Sequence, residues 1–244
     1  MNILSNALPL NGRSAGEISD ALPSFFTPAG YTFSIWSLIY IGLLGFTIYQ
    51  ALPSQRKKPW LGQISWLFAA SSAANIGWLF AWHYGLYPLS IVLMLTLLVT
   101  LIAIYARLDI GRPHSNLPLV DSIFVHGTFG LYLGWISVAT IANVASVLAY
   151  LGWSGFGIAA PVWSAIMMLV AVILAGLMLY KRRNLTYAAV LIWALFGIRA
   201  ANPAVPTIAN TAVIAAAAIA TIAIAGYLQT RRTTIARTAV PTTS

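Results

Sequence analysis

The sequence predicts an all-α membrane bundle of about seven transmembrane helices, and three observations carry that prediction. Of 244 residues, 60% are hydrophobic and only 7% charged, with a mean hydropathy of +0.85. A soluble domain of this length carries roughly a quarter charged residues. Charge-free runs long enough to cross a bilayer recur along the chain. The basic residues, which give a net charge of +9, stand in short clusters between those runs, where cytoplasmic loops place them. That distribution argues against a nucleic-acid partner. The chain contains no cysteine, which excludes disulfides, thiolate metal sites and cysteine nucleophiles.

The first 27 residues are polar, are broken by Pro9, Gly12, Gly16 and Pro23, and read as a non-membrane segment. They lack the basic start and long apolar core of a signal peptide. MNILSNALPL resembles the tail of a longer apolar segment, so the start reads as truncated.

The first span follows Pro28 and Gly30, breakers that precede a helix start. From Tyr31 the apolar pattern continues without charge to Ala51, with Phe33, Trp36 and Tyr40 at steps of three and four on one face. Arg56, Lys57 and Lys58 make a basic loop. The second span runs from about Leu61 to Trp82 and the third from Tyr87 to Tyr105; a tight link with Gly85 predicts an antiparallel hairpin. A basic loop with Arg107 and Arg112 leads to a long fourth span, Asp121 to Tyr150, which predicts tilt or a loose start. After an uncharged turn at Gly152 to Gly157, a fifth span extends from Phe156 to Tyr180 and closes on Lys181, Arg182 and Arg183. The sixth, Leu185 to Ile198, is the shortest. Asn202, Pro203 and Pro206 then precede an alanine-rich seventh span to Tyr227 and a basic tail, residues 231–244. Seven crossings put all four basic clusters on one side, which predicts a cytoplasmic C-terminus and a non-cytoplasmic N-terminus.

Polar residues inside the spans are the candidate site. In the second span Ser71, Asn75, Trp78 and Trp82 fall at steps of four, three and four. An amide at that depth needs another helix or a ligand as partner. In the fourth span Tyr132, Trp135, Ala139 and Asn143 share a face. Gly130 and Gly134 form a small-residue pair suited to close contact with a neighbouring helix or with a second copy in a homodimer.

Elimination removes several membrane functions. A retinal protein needs a lysine inside a helix for its Schiff base, and Lys57, Lys58 and Lys181 all sit at membrane edges. His83 and His126 fall near opposite ends of their spans and cannot ligate one haem iron together. Asp121 and Arg199 also lie near span ends, which leaves no central charge for ion coupling. No serine–histidine–carboxylate set or paired carboxylate is evident, so the residues give no support for catalysis. Leu177–Tyr180–Arg182 and Leu101–Tyr105–Arg107 both fit the cholesterol-contact pattern, a weak signal.

FTPAGYTFSIWSLIY resembles the PPGWVFxPVWxxLY segment of the TspO/MBR family, the tryptophan-rich sensory and translocator proteins. ANIGWLFAWHY is similar to that family's LNxxWSxxFF helix, and LYLGWISVATIAN to PYLAWVxFAxxLN, in the same order. The resemblance covers residues 26–145. It implies an extended member, with a four-helix TspO-like part at 28–150 and three additional helices at 151–230. It further implies an aromatic intramembrane pocket for a flat apolar ligand, a porphyrin or a sterol-like lipid, used in sensing or transport without a required cofactor. Matched residue by residue, the ligand contacts are Tyr31, Phe33, Trp36, Tyr40, Asn75, Trp78, Tyr132, Trp135, Ala139 and Asn143. Ala29, Tyr31 and Leu131 stand where the family has proline, tryptophan and proline, and the family's first helix is missing or partial. Location in the bacterial inner (plasma) membrane follows from the same resemblance. Two other readings are transport of a neutral apolar molecule without porphyrin binding, and light-dependent porphyrin breakdown.

Overall fold

The computed structural model describes residues 10–22, 24–55, 58–111 and 118–238. Among them every regular element is helical. In chain order these are α1 (Ala15–Asp20), α2 (Ile35–Ala51), α3 (Pro59–His83), α4 (Tyr87–Arg107), α5 (Leu119–Tyr150), α6 (Ala160–Arg182), α7 (Leu185–Ala201) and α8 (Pro206–Thr238). A 3₁₀ turn, Gly30–Ser34, leads directly into α2. Six helices are long and apolar enough to cross a membrane, and α7 is a shorter apolar helix. At 17 residues α7 extends about 25 Å, just short of a bilayer core. It nevertheless traverses the bundle: Asn184 at its start meets Tyr105 of α4, and Gly197 near its end accepts a hydrogen bond from Ala29.

The helix ends follow local chemistry. The link after α3 closes on Gly85 at φ 73°, where the Leu86 N–H donates to the Ala81 carbonyl and reverses the chain into α4. The resulting α3–α4 hairpin is the most extensive helix pair. α5 begins with a π-helical turn, Ser122–Gly127. Here Phe124 and Thr128 lie against Gly45 and Gly42 of α2, where any Cβ would collide with them. The loose start expected for the fourth span is thus a wide helical turn pressed on two glycines. α6 starts at Ala160 rather than Phe156, because Phe156 is held at φ 54° between two glycines of positive φ. α8 runs to Thr238, beyond the expected end at Tyr227, so the backbone of the first eight residues assigned to the basic tail is helical.

Lys58, Arg107 and Arg182 gather at one end of the bundle, while Arg13 and Arg199 lie toward the other. Lys58 pairs with Asp121 at 3.0 Å and also donates to the Tyr49 hydroxyl, which bonds the same carboxylate. Arg107 donates to the Gln63 carbonyl at 2.7 Å. Arg182 bonds Asp109 at 2.8 Å and lies over the Tyr105 ring. Of the loop residues expected at that end, Arg56, Lys57 and Arg112 lie outside the described residues.

Candidate ligand site

The faces of α2, α3 and α5 converge on Trp36. Its ring stacks on Tyr40 (5.3 Å between centroids) and on Trp78 (6.1 Å). Tyr132 and Trp135 meet it edge-on at 6.1 and 6.2 Å. Phe33 adds an edge contact to Trp135, and Trp78 continues the stack to Trp82. Edge and offset contacts at these distances suit the ring quadrupoles. Five of the expected residues therefore form one buried cluster, with Phe33 at its margin. The spacing within each helix placed the rings on one side, and packing of the three helices joined the sides.

Asn75 is 2% exposed and faces the Tyr40 and Tyr132 hydroxyls. Its carbonyl oxygen has no hydrogen-bond partner, and neither have the indole N–H groups of Trp78 and Trp135. Buried polar atoms in proteins are seldom left so. Between the rings lies a cavity of about 20 Å³, bordered by Phe33, Trp36, Trp78, Trp135, Ala139 and Asn143. That holds one water. The rings therefore pack on one another and leave no room for anything larger.

Two expected residues play other parts. Tyr31 is half exposed and packs edge-on against Trp193 of α7, away from the cluster. It stands two positions ahead of Phe33, off the steps of three and four that align Phe33, Trp36 and Tyr40, and only the family resemblance places it with them. Asn143 borders the cavity, but its amide nitrogen donates to Ser90 at 2.9 Å, and Ser90 in turn bonds the Tyr87 carbonyl. Gly130 and Gly134 are buried against α7: added Cβ atoms would meet Asn184 and Val190. The close approach that these glycines permit is taken up inside the chain, which removes the basis for a homodimer through them.

The N-terminal segment contributes groups that spacing did not reveal. Ser19 of α1 and Pro28 border the cavity. The Trp82 indole donates to the Ala15 carbonyl at 3.3 Å, and Asn11 donates to the carbonyl of His83. Thr27 bonds Ser146 of α5. α1 is built for this position, with Ser14 capping its start and Glu17 returning to the Ser14 N–H, a capping box. The S-x-x-E signature was present in the sequence; nothing local to it shows that the helix covers Trp82.

No curated protein and no solved structure gives a significant match. The family described as TSPO-like protein matches residues 1–225, a stretch that takes in α1 and most of α8 as well as the three aromatic helices. With that match over most of an apolar helical bundle, the chain is an integral membrane protein and belongs to the TSPO-like protein family.

Proposed function

We propose that the Trp36 cluster binds a flat apolar ligand, a porphyrin or a sterol-like lipid, for sensing or transport. The observation that carries this reading is the set of unpartnered polar atoms among buried rings: two indole donors, of Trp78 and Trp135, beside a water-sized space, and the Asn75 carbonyl among the neighbouring tyrosines. Rings alone are ordinary packing. Rings holding three orphaned polar atoms carry a cost of about 1–3 kcal/mol for each atom, which a polar-edged ligand or a bridging water would relieve. Among the described residues no charged side chain borders the cavity, so the ligand's interior is apolar and any carboxylates would remain outside.

Binding requires the rings to part, because the closed cavity cannot admit a tetrapyrrole. α1 and the Gly30–Ser34 turn lie over the site, α1 packing on α3 and on the turn through Ala15, Gly16, Ile18 and Ser19, and these short segments are the cover that must move to admit a ligand. The test is quenching of tryptophan fluorescence on titration of the purified protein with a porphyrin and, separately, with a sterol. Saturable quenching that Trp135→Phe weakens supports the reading. Quenching that is linear in ligand, and equal in the variant, sinks it.

A further inference from the structure

A larger space lies elsewhere among the described residues. A cavity of about 410 Å³ separates α5 from α6, at the end of the bundle opposite Lys58, Arg107 and Arg182. It lies within the roughly 300–1,000 Å³ of small-molecule sites. It exists because α6 docks on α7 and α8, whereas α5 docks on α4 and α7, so the two helices splay apart beyond their connecting turn.

On α5 the wall is formed by Thr140, Ile141, Val144, Ala145, Leu148 and Ala149, two adjacent rows at steps of four. Nine residues of helix separate Thr140 from Ala149, about 14 Å at 1.5 Å per residue. That is close to half of the ~30 Å hydrocarbon core, the depth of one leaflet. Trp163, Ser164 and Met167 form the α6 wall, and Phe25 and Phe26 close one side. The mouth is aromatic: Trp153 lies 5.5 Å from Trp163, whose indole N–H is already satisfied by the Gly155 carbonyl at 2.9 Å. Indoles favour the headgroup level of a bilayer. Among the described residues no acidic, basic or histidine side chain borders the cavity, so the wall offers an ion no partner.

We infer that this cavity is a site for one acyl chain of a membrane lipid, with the head group at the Trp153–Ser154 rim and the chain along α5. The long dimension matches one leaflet and the wall is aliphatic with an aromatic mouth. A flat tetrapyrrole would find neither orphaned donors nor a ring stack here. The site is independent of ligand binding at Trp36, with which it shares no lining residue.

The test uses the full-length protein in phosphatidylcholine vesicles doped with phosphatidylcholine bearing a photoreactive diazirine midway along one chain, followed by peptide mapping. The expected result is labelling concentrated in segments 140–149 and 160–167 that saturates at one lipid per chain. Ala145→Phe and Ala145→Trp fill the cavity and are expected to reduce that labelling about tenfold, the equivalent of ~1.4 kcal/mol. Labelling of outward Leu95 and Val99 and porphyrin quenching at Trp36 should stay unchanged. If the tryptophan variant fails to fold, Ala149→Leu gives the same reading with a smaller insertion. Label no denser at 140–149 than around Leu95 and Val99, or undiminished by the filling variants, overturns the inference. Displacement of the label by micromolar porphyrin overturns it too, by assigning the cavity to a flat ligand.

Discussion

Trp36 touches four other rings, and its neighbours Trp78 and Trp135 each carry an N–H with no partner. This makes substitutions at the cluster unusually clean. Trp135→Phe deletes a donor that bonds nothing and keeps a ring in place, so stability is expected to change by less than about 1.5 kcal/mol. Porphyrin affinity, by contrast, is expected to fall about tenfold as indole stacking surface and the N–H are lost. Thermal melts and quenching titrations of the same preparation separate the two effects. Asn75→Leu extends the test. Its carbonyl is unpartnered but its amide bonds the buried Tyr40 and Tyr132 hydroxyls, so leucine is expected to lower the melting point modestly, by about 1–3 kcal/mol of stability, while ligand affinity drops as well. A lower melting point with unchanged affinity would make Asn75 an interhelical tie and end its role as a ligand contact. At this scale the sequence was informative wherever α-helical spacing held, which is why Trp36, Tyr40, Asn75, Trp78, Tyr132 and Trp135 meet. Tyr31, two positions ahead of Phe33, was never on that spacing and packs on Trp193, and the bond from Asn143 to Ser90, 53 positions away, lay beyond any local pattern.

Two elements restrain the site, and each was hard to read from its own residues. α1 is only six residues long, and its Ser14–Glu17 capping box keeps it wound. Hydrogen bonds from the Ser14 backbone and side chain hold the Glu17 carboxyl below its ordinary range, so it favours the folded cap while ionised. That contribution is complete above the ordinary pKa of 4.5 and fades as pH falls through the lowered folded value. Asp20 runs the other way: burial, and next the Glu17 charge, raise its pKa, so ionisation costs folded stability as pH rises through the ordinary 3.8. Ser14→Ala is expected to cost about 1 kcal/mol of local stability. It should appear as faster amide exchange across Ala15–Asp20 and faster ligand association, with the difference from wild type shrinking in acid as Glu17 protonates. Unchanged exchange would mean that α1 is held by Trp82 and Asn11 alone. α7 acts from the opposite side. Its Gly197 faces Pro28 and Thr32, its Trp193 donates to the Thr32 carbonyl, and its carbonyl at Gly197 anchors Ala29. Gly197→Ala would drive a methyl group into Thr32 and within 2.9 Å of the Pro28 Cβ, so the turn must shift. The expected outcome is a loss of roughly 1–3 kcal/mol, read as a lower melting point, together with weaker porphyrin quenching.

For the molecule as a whole, the bilayer explains both what the sequence revealed and what it concealed. Apolar runs and basic loops are composition, and composition alone placed the helices to within a few residues at most ends. Which face of each helix turns inward was legible only where rings and amides marked it. The outward rows, such as Leu38, Ile41, Leu44 and Ile48 on α2 or Val92, Leu95, Val99 and Ile102 on α4, are as apolar as the core, because lipid and protein interior make the same demand. The cavity between α5 and α6 was invisible for that reason, its walls being ordinary membrane aliphatics. Charge supplies the remaining whole-molecule property, orientation. Lys58, Arg107 and Arg182 lie at one end, held by contacts between α3 and α5, α4 and α3, and α6 and the segment after α4. Seven traverses from the Gly30–Ser34 turn bring the end of α8 to that same end. If lysine and arginine set the orientation, this end is cytoplasmic. Reporter fusions at Ser244 and inserted within 53–59 are then expected both to report cytoplasm, and one inserted at Gly152 the opposite side. The informative case is α7, at 17 residues the shortest traverse. Were α7 to leave and re-enter on one side, Ser244 and residues 53–59 would report different compartments, whereas agreement between them requires α7 to cross. A reversed but self-consistent set would keep the seven crossings and overturn only the charge rule for this chain.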